Sequence, residues 1–229
     1  MKKVISFSLW GDDPKYTIGA IRNAELSKTI YPGWIPRFYC AKNSVPENII
    51  SQLRELNSEI VIKDTVGDWT GMFWRFQTIS DPEVEVMISR DTDSRISLRE
   101  KLAVDEWLKS GKLFHIMRDH PAHGTQILGG MWGAKKPILQ DMNYLINAYD
   151  KKNFWQIDQN FLRDVIYPRV SYTTCVHDEF FEKKRFPSKR KGLEFIGQVY
   201  DCMDNSTVIY EKDLEKYLNE TRQNHSCSR

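Results

Sequence analysis

The alternation of apolar and polar positions over the first ninety residues follows a repeating strand and helix rhythm. Val4 to Leu9 is an apolar run interrupted only by serines and reads as a buried strand. Asp13 followed by Pro14 marks a helix start, with Pro in the first turn and Ile18, Ile21 and Leu26 on one side. Trp34 to Cys40 reads as a second strand. Ser44-Val45-Pro46-Glu47 has the spacing of a capping box, opening a helix that carries Ile49, Ile50, Leu53 and Leu56, and Glu59 to Lys63 is a third strand. Residues 70 to 79 predict a short aromatic helix, and Val84 to Ser89 the next strand. This order predicts a mostly parallel sheet, in which ligands bind beyond the carboxyl ends of the strands. Asp91-Thr92-Asp93 falls at such an end.

The pattern continues less regularly. Ser97-Leu98-Arg99-Glu100 is a second capping box, opening a helix through Trp107 and Leu108. Leu113 to Met117 reads as a strand, Gly129 to Gly133 as a glycine-rich turn and strand, and Pro137 to Tyr149 as a helix. Asp158 to Val165 predicts another helix with Asp158 as its N-cap. Val170 to Val176 and Leu193 to Val199 read as the last strands. The polar stretch after Asp201 carries a helix over Asp213 to Leu218 and an end that frays from Thr221.

Composition narrows the class. A chain of 229 residues with 41% hydrophobic and 12% aromatic content can bury one sizeable core, which fits a single α/β domain. Its 33 basic and 31 acidic side chains are mixed along the chain and leave a net charge of +2, which argues against a nucleic-acid groove. No uncharged apolar run approaches the roughly 20 residues of a membrane span, and no signal-peptide pattern opens the chain, so a cytoplasmic protein is the default. Cys40, Cys175, Cys202 and Cys227 show no paired spacing and read as reduced thiols.

Two carboxylates at i and i+2 beyond a strand end can converge on one hard cation, because the turn frees them from opposite faces of the strand. Two protein oxygens leave positions on Mg²⁺ or Mn²⁺ for diphosphate oxygens and water. With 17 Asp in the chain, roughly one such spacing arises by chance, so the triplet needs its surroundings to count. His115, His120 and His123 lack the cysteine or His-Glu-x-x-His company of a zinc site.

Those surroundings are Met72-Phe73-Trp74-Arg75-Phe76, Ile88 to Arg95 around the triplet, and Trp155-Gln156-Ile157-Asp158-Gln159-Asn160-Phe161-Leu162. Their order and spacing resemble the GT-A glycosyltransferases, in particular the small chlorovirus glycosyltransferase domains and related bacterial enzymes, and more distantly the family-8 galactosyltransferases. The resemblance covers Val4 to about Asp201. It implies a Rossmann-like GT-A domain over 1–229: a nucleotide-binding half to residue 95, a sugar and acceptor half over 96–201, and a tail over 202–229. It also implies metal-dependent transfer of a sugar from a nucleoside-diphosphate sugar, with UDP as nucleotide, to a hydroxyl of a glycan or glycoprotein, with retention of configuration.

The resemblance further assigns roles. Ser8, Leu9 and Trp10 cradle the nucleotide, with Tyr16 stacked on the base, and Arg75 contacts the donor. Asp91 and Asp93 hold the metal, and His177 is a third ligand. Asp119, His120, Gly129 and Gly130 hold the donor sugar, while Asp158 and Gln159 lie at its reactive carbon. The basic run from Lys183 to Lys191 forms a flap over the diphosphate. Where family-8 enzymes continue with Lys-Pro-Trp, this chain has Phe186-Pro187-Ser188-Lys189-Arg190, which weakens the case for His177.

Other readings differ from this one at specific residues. A haloacid-dehalogenase-type phosphatase places Asp-x-Asp on its first strand and adds a later acidic pair, which is absent. A nucleotidyltransferase carries a glycine-rich basic loop after the first strand, whereas Ser8 to Asp13 has neither feature. A non-catalytic carbohydrate-binding protein could use the seven Trp as platforms, but they are dispersed among predicted core elements.

Overall fold

In the computed structural model the described residues are 1–151 and 156–226, with side chains described through Thr221. Trp155 of the third motif therefore lies outside them, as does Cys227. The first half follows the expected order: β1 (Lys2–Leu9), α1 (Pro14–Ile30), β2 (Ile35–Ala41), α2 (Glu47–Glu55), β3 (Glu59–Lys63), a 3-10 helix over Trp69–Ser80, and β4 (Val84–Ser89). Then come α3 (Leu98–Lys109), β5 (Phe114–Arg118), β6 (Trp132–Lys135), α4 (Met142–Ala148), α5 (Ile157–Phe161), α6 (Tyr167–Val170), β7 (Thr174–Asp178) and α7 (Val208–Ser226).

The strands form one seven-stranded sheet in the order β3-β2-β1-β4-β6-β5-β7. The first four strands are mutually parallel, β7 is parallel to β5, and β6 runs antiparallel to both of its neighbours. The chain leaves β1 toward β2 and β3 on one side, then returns to β4 on the other. Strand order therefore reverses between β1 and β4, and a crevice opens at their carboxyl ends.

Alternation along the strands fills a core on each face. Phe73, Phe76, Met87, Phe114, Trp132 and Phe161 pack on one side. Ile5, Phe7, Phe38, Ile88 and Trp107 pack on the other. Among the described residues, no helix is long and apolar enough to cross a membrane.

Several local expectations are corrected. Ser44 does not cap α2; its hydroxyl accepts from the Gly11 amide at 3.0 Å and donates to the Val66 carbonyl, so the N-cap is Pro46, without a side-chain bond. At Ser97 the cap does form, from the Glu100 amide at 3.3 Å. The helix expected from Pro137 starts only at Met142, because Leu139 takes a φ of 58° that no α-helix accommodates. Asp158 is not an N-cap: Gln156, at φ 68°, holds that position, and Asp158 sits one residue inside α5. Leu193 to Val199 is not a strand, since Gly197 turns back at φ 83° and only Val199 makes a bridge, to Ser94. The last helix is longer than expected and runs on past Thr221 to Ser226.

Candidate active site

The period of two along β1 puts Ser6 and Ser8 on the face opposite Phe7 and Leu9, against the 3-10 helix. Both hydroxyls engage one residue. Ser6 Oγ donates to the Arg75 carbonyl at 2.7 Å, and the Arg75 amide donates to Ser8 Oγ at 3.0 Å. With its backbone pinned, Arg75 reaches past the end of β4. Nη1 bonds the Arg90 carbonyl at 3.3 Å and the Asp91 carboxylate, while Nη2 reaches Asp158 Oδ2 at 3.3 Å. Burial opposes the Arg75 charge, but Asp91 and Asp158 outweigh it and hold its pKa above the ordinary value. Among the described residues its Nε has no hydrogen-bond partner.

The turn that follows β4 is held by α1. A Cβ on Gly19 would overlap the Thr92 carbonyl, so the helix approaches backbone to backbone there. One turn on, the buried Asn23 amide donates to the Ser94 carbonyl at 2.8 Å and the Thr92 carbonyl at 3.3 Å, and its oxygen accepts from the Ile96 amide at 3.0 Å. Within the turn, Ser94 Oγ donates to the Asp91 carbonyl at 3.0 Å.

So fixed, Asp91 has a side chain 44% exposed, and Asp93 one 17% exposed with Lys15 Nζ at 2.8 Å. Burial raises the Asp93 carboxyl above the usual range, and the neighbouring Asp91 charge adds to it. A divalent cation relieves such crowding. The donor set is oxygen only, and a Cβ on Gly130 would fill the space that the Asp91 carboxylate occupies. These residues therefore fit a hard divalent cation whose remaining positions are open to ligand oxygens.

Asp158 enters the same space from α5. Its Oδ1 accepts from the Gln159 amide at 2.9 Å, and its Oδ2 lies where a Cβ on Gly129 would sit. Burial pushes its carboxyl up, with Arg75 opposing. The two glycines thus make room for Asp91 and Asp158, rather than for a ligand alone. Ser89 Oγ fixes them by donating to the Gly129 carbonyl at 2.7 Å.

Four expectations are placed differently. Asp119 is fully buried, bonded by Arg99 (2.9 Å to each oxygen), Arg190 (2.6 Å) and the Ile196 amide (3.0 Å), and does not line the cavity. It joins α3 to the 190–196 segment and has no free oxygen for sugar hydroxyls. His120 lines the cavity, but Nδ1 accepts from the Ala122 amide at 3.0 Å, so Nε2 carries the proton toward the Tyr210 carbonyl at 2.8 Å. It presents a ring face and no free nitrogen. His177 does not line the cavity with Asp91 and Asp93: its Nδ1 faces His115 Nε2 at 2.8 Å and its Nε2 faces Glu106 at 3.3 Å. The basic run forms no flap. Arg190 anchors Asp119, and none of the residues from Lys183 to Lys191 lines the cavity. Arg90 pairs with buried Glu100 at 3.0 Å and Arg95 with Asp204 at 2.9 Å, and neither pairs with Asp91 or Asp93.

The cavity measures about 910 Å³ and opens at the reversal between β1 and β4. It is lined by Ser8, Leu9, Trp10, Tyr16, Arg75, Asp91, Asp93, His120, Gly129, Asp158 and Gln159, all named by the sequence. It is also lined by Lys15, Trp69, Met72, Phe195, Val199 and Tyr210, to which the sequence assigned no site role. Met72 opens a quoted motif and Trp69 lies three residues before it, so both were within reach. Phe195, Val199 and Tyr210 carried no local signal, because only the fold brings that segment and α7 across the cavity.

No protein-family model and no curated protein matches the sequence. Solved structures do match. A glycosyltransferase involved in the glycosylation of the major capsid of PBCV-1 superposes with a TM-score of 0.53 at 15% identity, over 78% of this chain and 82% of that one. The 4-diphosphocytidyl-2C-methyl-D-erythritol synthase of Anaerococcus prevotii gives 0.49 at 13% identity, over 82% and 93%. Glucosyl-3-phosphoglycerate synthase of Mycobacterium tuberculosis, in complex with UDP, gives 0.49 at 9% identity, over 83% and 72%. At these identities the likeness concerns the fold, and the chain has the GT-A fold.

Proposed function

We propose that this GT-A domain is a metal-dependent glycosyltransferase, moving a sugar from a nucleoside-diphosphate sugar to a hydroxyl of a glycan or glycoprotein. The observation that carries the reading is the meeting of Asp91, Asp93 and Asp158 around Arg75 in one cavity at the strand reversal. Uridine as the base follows from the resemblance of the motifs to the GT-A glycosyltransferases. Asp91 and Asp93 would hold Mg²⁺ or Mn²⁺, which when bound supplies Lewis-acid stabilisation of the leaving diphosphate. Trp10, Tyr16 and Trp69 give the nucleotide end aromatic walls. The pinned Arg75 fork aligns Asp91 with Asp158, so the donor sugar between them meets a preorganised charge pattern.

Asp158 is the residue assigned to the reacting carbon, with the Gln159 side-chain amide in the same cavity to bond a sugar hydroxyl. Retention is what the resemblance to retaining GT-A enzymes implies, and in that reading Asp158, linked to Asp91 through Arg75, would stabilise an oxocarbenium-like centre. The test is donor hydrolysis over a panel of nucleotide sugars, with and without Mn²⁺, and with Asp91→Asn as control. Metal-stimulated hydrolysis of at least one donor, lost in the variant, is expected. No stimulation with any donor, together with no metal-dependent UDP binding, would overturn the reading.

A further inference from the structure

Of the four acidic residues that line the cavity, Asp68 caps the 3-10 helix, while Asp91, Asp93 and Asp158 are balanced from within by two basic side chains that are held very differently. Arg75 is buried, pinned through its backbone by Ser6 and Ser8, and shared between Asp91 and Asp158. Lys15 stands in the first turn of α1, its side chain 34% exposed, and contacts Asp93 Oδ2 at 2.8 Å. Among the described residues, the other close neighbour of Nζ is the Tyr16 ring, 5.0 Å away. An ammonium on four methylenes can swing; a guanidinium locked at both ends cannot.

Resting on the glycosyltransferase reading above, we propose that Lys15 is a counter-ion switch that couples metal entry to the binding of the nucleoside diphosphate. In the ligand-free cavity the ammonium occupies the Asp93 oxygen that a divalent cation needs. A cation arriving alone must displace it and leave like charges side by side, which opposes binding. A diphosphate arriving with the cation offers the displaced ammonium new oxygens a short swing away, since Lys15 lines the same cavity as Asp91 and Asp93. Lys15 thus disfavours the metal alone and favours the metal with the diphosphate. The linkage is reciprocal, so the metal raises diphosphate affinity by the same factor.

The experiment is calorimetric or paramagnetic-resonance titration of Mn²⁺ into the whole chain, with and without saturating UDP, for wild type, Lys15→Met and Lys15→Arg. In Lys15→Met, Mn²⁺ affinity without nucleotide should rise about fivefold or more, and the factor by which UDP enhances it should fall about tenfold. Lys15→Arg should keep most of the coupling. Lys15 lies partly exposed on a helix surface, so both variants are expected to melt close to wild type. If wild type binds Mn²⁺ with UDP but Lys15→Met shows the same metal affinity and the same enhancement, the switch is wrong and the metal reading stands. If wild type binds no Mn²⁺ even with UDP, the metal reading falls and the switch with it.

Discussion

Asp158 sits where its two oxygens meet different constraints: one on the Gln159 amide, the other on Arg75. Asp158→Asn keeps the shape and leaves Arg75 paired with Asp91. Stability should therefore change by less than about 2 kcal/mol, while turnover falls roughly 10²-fold through loss of the charge at the reacting centre. Initial rates beside thermal melts decide it, and turnover close to wild type would take Asp158 out of the reaction. Gly130 offers a complementary probe. Its backbone is ordinary, but an added methyl would occupy the space of the Asp91 carboxylate. Gly130→Ala should fold with a loss of about 1–3 kcal/mol, yet bind UDP with Mn²⁺ at least about tenfold more weakly, because Asp91 must rotate away. A variant that binds the pair as wild type does would show that Asp91 holds no metal. These two glycines were read from the sequence as ligand-facing. Their reason became visible only with side chains in place, because nothing along the chain shows which carboxylates will approach them.

At the scale of elements, α1 aims the turn after β4 through Gly19 and Asn23. Asn23→Ala removes bonds to two turn carbonyls and to the Ile96 amide, all buried, and should cost on the order of 3 kcal/mol. Metal-dependent nucleotide binding should weaken too, since the turn no longer has one conformation. Denaturant melts measure the first effect; a loss below about 0.5 kcal/mol would mean that the turn is held by something else. The β-α-β-α-β half was legible because period-2 strands and a proline-started helix alternate cleanly there. The second half was less so. Residues 193–199 are apolar enough to read as a strand, but together with Arg190 they wrap around the buried Asp119 carboxylate, a non-local partner that periodicity does not report. The α5 helix was placed, yet its cap was misassigned, because Gln156 takes a left-handed conformation more often filled by glycine or asparagine.

For the molecule as a whole, four histidines are held neutral by their surroundings. Burial pushes His115 well below its ordinary value, with His177 and Arg90 adding to it, and pushes His123 down to about 3. Burial also lowers His120, and His177 despite the opposing Glu106. Each binds its proton more readily in the unfolded chain, so the stability it contributes is present above about pH 6.5 and is lost as pH falls toward the folded values. Buried Asp158 and Asp93, with raised pKa values, act in the opposite sense from the ordinary carboxylate value upward. The melting temperature should fall by on the order of 5 °C between pH 7 and pH 5. A flat profile over that window would mean that these imidazoles are not held neutral. The sheet carries a last consequence. Its ladders pair six positions between β1 and β2 and five between β1 and β4, but four between β4 and β6 and three between β6 and β5. Under tension applied across the strands, β6, with the shortest ladders among these, is expected to yield first. Gly129 and Gly130 lead directly into that strand, so the cleavage plane of the sheet and the floor beneath Asp91 and Asp158 are the same piece of chain.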